Sequence, residues 1–460
     1  MNGFGPSEKL HRLVKQAIDS GLACSIEEAN ALFLGYRLAF IIGDAEARNP
    51  DHQAALLTGI SLARRVFLGG VTVAGPLDVP LMVPLTPGTT LRTAVEAAGA
   101  HHAADEVDDF PCIFIGGSPR PRGAGFRLRT VFNGWRGGVV PAHLEFVGSE
   151  EYVMPLAPML SVALAVSEAY FYVQGQMPVA GRRQIGLSLW EPARTDWLSA
   201  DTNAPVLRLL PSNLWLIGLG HLGQAYLWAL GLLPYPKPAG LSIVLQDTDV
   251  ITPSTESTSI LSDFTMVGVK KTRAMAAWAE QRGFATVIHE RLFDGSFVRS
   301  DREPPIALCG MDNALGRRAL DQVGFQFVVE AGLGRSYRDF CTIRMHTLPA
   351  NRTAAEIWNG VNEQEDLTDR AAYRELLNAG KLDRCGITLL ANKAVGAPFV
   401  GATAACLVIA EVLRLLHGGS THSLIDLDLR STEHRSVVQA KTFEEFNPGY
   451  VRAVSEITAG

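Results

Sequence analysis

Leu214-Trp-Leu-Ile-Gly218-Leu-Gly220-His-Leu-Gly223, continued by Gln224-Ala-Tyr-Leu-Trp-Ala-Leu230, carries more structural information than any other part of this chain. An apolar run meets three glycines at G-x-G-x-x-G spacing and resumes as an apolar helix, which reads as a strand, a tight turn and a helix start. Main-chain N–H groups at such a helix start carry partial positive charge and hold phosphate oxygens. A second apolar run, Leu241-Ser-Ile-Val-Leu-Gln-Asp247-Thr-Asp249, ends in carboxylates where a ribose hydroxyl would lie. Alone this says "nucleotide" and no more, because the glycine spacing is common. Two later features narrow it: Val267-Gly-Val-Lys270-Lys271, and the pair Asp312-Asn313 at the end of another strand pattern, residues 305–310.

Working outward, the 460 residues suggest two or three domains and ample core. A net charge of -6 gives no support to nucleic-acid or membrane attraction. No uninterrupted apolar span reads as long enough to cross a bilayer, and residues 1–9 lack a signal-peptide pattern. The expectation is a cytoplasmic protein with reduced thiols. Its six cysteines (24, 112, 309, 341, 385 and 406) include no C-x-x-C, which disfavours a zinc knuckle.

Before the glycine turn, residues 7–42 read as helical, with Leu10, Leu13, Val14, Ala17 and Ile18 as the buried stripe. Asn49-Pro50-Asp51 turns into a helix over 52–65. Strand patterns at 66–74, 111–117 and 127–132 alternate with a helix at 90–98, which argues for an α/β domain. Gly116-Gly117-Ser-Pro-Arg-Pro-Arg is too proline-broken to open a helix, so this half has no phosphate turn. Two helices link the halves. Ala157-Pro158 to Gly175 and Ala397-Pro398 to Gly418 both start on proline, are rich in small residues, carry one late glutamate (168 and 411) and close on glycine. They are either two unrelated buried helices or the mark of a duplicated domain whose first copy has lost its nucleotide loop. Residues 186–211, rich in Gly, Pro, Asp, Thr, Asn and Ser, read as the linker.

After the turn, a helix starts near Gly268 and carries Lys271. Strand patterns follow at 286–290, 305–310, 327–334 and 340–346, with a helix at 314–323. Residues 351–381 read as polar and helical, anchored by Trp358 and Tyr373, and the tail holds a strand near 424–429.

Together these residues resemble the ThiF/MoeB/ubiquitin-activating superfamily over residues 214–419. The resemblance rests on Gly218, Gly220 and Gly223, on Asp247-x-Asp249, on Val267-Gly-x-Lys-Lys271, on Asp312-Asn313 with Arg317-Arg318 behind, and on the helix from Pro398. It implies an α/β fold: a Rossmann-like, ThiF-type adenylation domain with a mostly parallel sheet over 206–460, preceded by a degenerate, pseudo-adenylation α/β domain over 1–205. It implies ATP and Mg2+ as cofactors. The three glycines would hold ATP, Asp247 the ribose, Lys271 the triphosphate, and Asp312 the magnesium, with Asp249 beside them. It implies adenylation of the C-terminal carboxylate of a ubiquitin-like protein, then a thioester on a cysteine and transfer to a conjugating enzyme. Cys385 is the thioester candidate because it precedes the late helix, in the region where family members carry a crossover segment (here about 350–395), with the positive Arg384 beside it. Cys341 is the alternate, while Cys309 and Cys406 read as core. A chain of this length with a pseudo-duplicated first half looks like the bacterial members found with ubiquitin-like and conjugating-enzyme partners, including antiviral operons; a homodimer is compatible.

One departure stands out. The family carries an asparagine and an Arg-Gln pair shortly after the acids; here those positions hold Thr255, Thr258 and Ser259, and no arginine occurs between Asp249 and Lys271. Either a transition-state arginine comes from elsewhere, from the N-terminal half or a second subunit, or the ATP chemistry is weakened. Plainer readings stand beside these. Asp249 can simply cap a turn, Arg317 and Arg318 can be a solvated helix face, His221 reads as a surface residue, and Glu411 can bond a neighbour's backbone. Two other functions fit parts of the pattern. A nicotinamide or flavin oxidoreductase explains the glycines and Asp247 but not Lys271 with Asp312. A decayed scaffold that binds a ubiquitin-like tail explains the missing Arg-Gln.

Overall fold

A computed structural model describes residues 4–103, 110–117, 125–144, 152–360, 366–440 and 445–454. Two sheets organise it. The first holds β1 (Leu38–Ile42), β2 (Val71–Ala74), β3 (His101–Ala103), β4 (Cys112–Ile115), β5 (Arg127–Asn133), β6 (Arg136–Pro141) and β7 (Ile185–Ser188), in the order β3-β2-β1-β4-β5-β6-β7. After β8 (Leu209–Pro211), the second holds β9 (Asn213–Ile217), β10 (Ser242–Gln246), β11 (Ala285–His289), β12 (Ile306–Cys309), β13 (Phe327–Leu333), β14 (Thr342–Leu348), β15 (His422–Asp428) and β16 (Ser436–Gln439). Its order is β11-β10-β9-β12-β13-β14-β15-β16, and β17 (Tyr450–Arg452) pairs with β8.

The two orders are the same, strand for strand, through seven positions. In both, the first five strands in sequence run parallel and the next two antiparallel. Helices Leu156–Gln174 and Pro398–Leu416 occupy equivalent places, between the sixth and seventh strand of each sheet. They pack on each other, with Tyr170 and Phe399 ring centroids 5.7 Å apart. Glu168 and Glu411, both fully buried, each accept a main-chain N–H near the next strand: from Gly181 at 2.9 Å and from His422. The duplicated architecture is therefore a property of the fold, and the largest apolar cluster runs through both halves.

Several local expectations change. Residues 38–42 are not helical; Leu-Ala-Phe-Ile-Ile is β1, a central strand buried at every position. A continuous apolar run carries no alternation to distinguish it from a helix. The strand expected over 66–74 is only Val71–Ala74, and the helix expected over 314–323 closes after Ala314–Arg317. The linker begins later than 186, because Ile185–Ser188 is an edge strand on which Trp197 packs so closely that a Cβ at Gly186 would lie 2.2 Å from it. Residues 351–381 contain two separate helices, Ala354–Ile357 and Ala371–Asn378; 361–365 lie outside the described residues, as do 118–122 of the proline-broken stretch. Two helices, Leu156–Gln174 and Pro398–Leu416, are in fact long and apolar enough to span a bilayer by composition, but 89% of each window is buried inside the fold.

Candidate functional site

The glycine turn follows β9 at the point where the strand order reverses, and the Asp312 loop follows the neighbouring strand β12. Open α/β sheets place their ligand crevice there. Each glycine has its own reason. Gly218 has φ +85, and a Cβ there would lie 2.8 Å from the Met311 nitrogen. A Cβ at Gly223 would lie 2.0 Å from the Gly218 carbonyl oxygen. Gly220 faces open space and is the N-cap of helix His221–Leu232, with no side chain capping it. The first N–H groups of that helix are left for an external acceptor.

The acids and the lysine meet at this turn. Asp247 accepts from the Leu219 N–H at 2.7 Å and from the Asp249 N–H at 2.8 Å, so it braces the glycine turn. The Lys271 ammonium donates to Asp249 at 2.8 Å and lies 3.8 Å from Asp247. The neighbouring Lys270 ammonium is spent on the Thr248 carbonyl. Lys271 is thus the lysine held at the crevice, with further N–H donors to offer. Asp249 does more than cap a turn: its carbonyl accepts the Lys271 N–H at 3.0 Å and its carboxylate holds the ammonium.

Asp312 is exposed at the end of β12, and the loop that carries it is anchored from behind. Arg317 donates to the Met311 carbonyl at 2.7 Å and to Ala331 at 3.2 Å, pairs with Glu330 at 3.1 Å, and stacks 4.3 Å above the Trp358 ring. Arg318 donates to the Trp358 carbonyl at 2.9 Å. These arginines are not a solvated face: Arg317 is buried, because Glu330 from β13 supplies the counter-charge that burial demands. His221 is not a surface residue either. Its Nε2 is buried against helix Pro398–Leu416, where a Cβ at Gly401 would lie 2.3 Å away, and burial lowers its pKa to about 4.

An arginine does reach this region from the N-terminal half. Arg12 precedes helix Val14–Asp19; its N–H donates to Ser257 Oγ at 3.1 Å and its guanidinium to the Ala394 carbonyl at 3.3 Å. Burial lowers its pKa, the Asp312 charge opposes that shift, and Arg335 adds to it, so Arg12 stands in the electrostatic field of Asp312. Nothing local in the sequence marks Arg12, since it sits among the apolar residues Leu10, Leu13 and Val14 of an ordinary buried stripe.

Cys385 is exposed in the first turn of helix Arg384–Ala391, which is capped by Asp383. Farther on, residues 394–396 run beside Arg12 and His221. Cys341 is fully buried and burial drives its thiol pKa well up; Cys309 is buried and pushed to about 12, and Cys406 is raised by the same cause. Of the six thiols only Cys24 and Cys385 are exposed. Helices 371–378 and 384–391 are tied to the chain start: Tyr373 donates to Asp19 at 2.6 Å, and the Lys15 ammonium donates to Asp19 and, at 2.9 Å, to the Ala391 carbonyl.

A duplicated α/β fold with one intact glycine turn, an Asp-Lys crevice and a buried crossover helix defines a ThiF/MoeB/ubiquitin-activating-type protein. Residues 37–189 match the BilD N-terminal domain family and residues 210–419 the BilD C-terminal domain family. The chain is 44% identical over 418 residues to the bacterial E1-like protein BilD of Collimonas sp. (strain OK412), covering 90% of each. The chain belongs to the BilD family of bacterial E1-like proteins. Among solved structures, Escherichia coli MccB superposes with a TM-score of 0.32 at 15% identity, over 50% of this chain and 63% of MccB, less than two thirds of its length. The E. coli tRNA N6-threonylcarbamoyladenosine dehydratase TcdA gives 0.29 at 17%, over 45% and 86%.

Proposed function

We propose that this chain adenylates the C-terminal carboxylate of a ubiquitin-like protein with MgATP, takes the acyl group up as a thioester on Cys385, and passes it to a conjugating enzyme. Residues 206–460 are the adenylating unit and residues 1–205 a half without nucleotide chemistry. The observation that carries this is the meeting at one sheet edge of an uncapped helix start, Lys271 between Asp247 and Asp249, and Asp312 in the loop after the next strand, with the Asp312 charge opposing the burial-driven fall of the Arg12 pKa. The E1-like name of the BilD relative supports the same class.

The helix start takes phosphate oxygens and Asp247 accepts a ribose hydroxyl. Among the described residues no group of three ligating side chains could cage a metal. Mg2+ typically arrives with its nucleotide, held by one or two carboxylates, phosphate oxygens and water, and Asp312 would be the carboxylate that holds it. The modifier's carboxylate oxygen bonds to the α-phosphorus, the bond to the bridging oxygen breaks, and pyrophosphate leaves. Lys271 and Arg12 neutralise the charge that develops on the phosphates. The Cys385 thiolate then attacks the acyl carbon and AMP leaves.

Isotope exchange between pyrophosphate and ATP, with a candidate modifier present, tests the first step. A thiol-sensitive adduct seen by mass spectrometry and lost in Cys385→Ala tests the second. Exchange without an adduct would confine the activity to adenylation; no exchange and no AMP would favour the scaffold.

A further inference from the structure

We infer that Arg65, in the half that has no glycine turn, is a positioning residue for the nucleotide site of the other half. Arg65 follows helix Pro50–Ala63 and is 1% exposed. Its guanidinium donates to the main-chain carbonyls of Glu256 at 2.7 Å, Ser262 at 2.7 Å and Ile260 at 3.2 Å, and to Ser61 in its own helix. Arg64 beside it pairs with the Glu256 carboxylate at 3.1 Å and donates to the Ser262 carbonyl at 3.3 Å. Three carbonyls of one short segment converge on one planar fork, a geometry an ammonium cannot reproduce.

The clamped segment, 256–262, lies between Asp249 and Lys271, where Thr258 and Ser259 stand in for family residues that are missing. It is bonded to the nucleotide site on two further sides. Ser257 Oγ seats the Arg12 N–H. Gln224, fully buried, bonds both Ser262 Oγ at 2.8 Å and the Leu219 carbonyl of the glycine turn at 3.2 Å, and accepts from the Leu261 N–H at 3.1 Å. A continuous hydrogen-bonded path thus runs from Arg65 through Ser262 and Gln224 to Leu219, with a branch at Ser257 to Arg12. Through it the nucleotide-free half sets the shape of the crevice.

This rests on the adenylation reading, and the full-length chain tests both together. MgATP affinity is measured by titration calorimetry alongside the thermal midpoint. Arg65→Lys is expected to weaken MgATP binding about tenfold or more, the scale of losing hydrogen bonds to a charged group. Thr58→Val is the control: it deletes a different bond between the halves, Trp228 Nε1 to Thr58 Oγ1 at 2.9 Å, and should lower the midpoint with little change in affinity. If both variants lose stability and neither loses affinity while Lys271→Met does, Arg65 is inter-half packing alone and the inference falls. Should Arg65→Lys not fold, Ser262→Ala cuts the link to Gln224 but keeps the clamp; unchanged affinity there overturns the inference equally. If the unsubstituted chain does not bind MgATP, the adenylation reading and this inference fall together.

Discussion

The two sheets share a strand order, yet the main helix after the first strand of each begins in opposite ways. In the C-terminal half helix His221–Leu232 starts on Gly220, with no side chain over its first N–H groups. In the N-terminal half helix Pro50–Ala63 starts on Asn49, whose Oδ1 accepts from the Asp51 and His52 N–H groups at 2.9 and 3.2 Å, and proline at the next position removes another donor. The intervening segment also carries Asp44 and Glu46, the wrong sign for phosphate. One architecture therefore has an uncapped helix start in one half and a closed cap in the other. The first half also brings Arg12 and Arg65 into hydrogen-bonding contact with the second.

The largest test of this contrast is Gly223→Ala, which forces a Cβ to within 2.0 Å of the Gly218 carbonyl. Loss of MgATP binding is expected in a calorimetric titration; retained binding would mean the turn is not the phosphate site. Arg12→Ala comes next. Removing one donor to developing negative charge costs roughly 2.7–4 kcal/mol, so pyrophosphate exchange should drop by about 10²–10³ with the chain still folded. An unchanged rate would assign the arginine elsewhere.

A third test compares His52 and His221, each at the start of its half's helix and each lowered to about 4, chiefly by burial. An unfolded chain protonates them near 6.5 and the folded one only near 4. Stability from this source is therefore full above pH 6.5, falls as pH drops through that window, and levels off below it, by up to about 3 kcal/mol per histidine. Urea midpoints measured across the window should show a shallower slope in His52→Gln; an identical slope would mean that burial does not hold His52 neutral. The smallest effect belongs to Asn49→Ala. It uncovers the first copy's helix start at a cost of about 1 kcal/mol. MgATP stoichiometry should stay at one; a second bound nucleotide would show that the cap alone silenced that half.

How much of this could be read before folding differs by residue. Gly218, Gly220, Gly223, Asp247 and Lys271 were legible because turn geometry, the ends of strands and the order of motifs are local. Cys385 could be picked out near a late helix, but its exposure, against the burial of Cys341, depends on what packs around each. β1 was illegible because five consecutive apolar residues fit a buried strand and a buried helix equally. His221 and Arg317 were misjudged for a related reason: their burial is decided by Gly401 and Glu330, which no local pattern connects to them.

The chain's own order of residues determined the α/β class, the glycine turn and the family, because these follow from backbone conformation and spacing along a few contiguous segments. Only the tertiary structure decided that the two halves share one strand order, that the first half's helix start is closed, and that Arg12 and Arg65 bond a segment far downstream in the chain. Those are matters of which surfaces meet, and the burial of a charged side chain is set by the partners it finds across space.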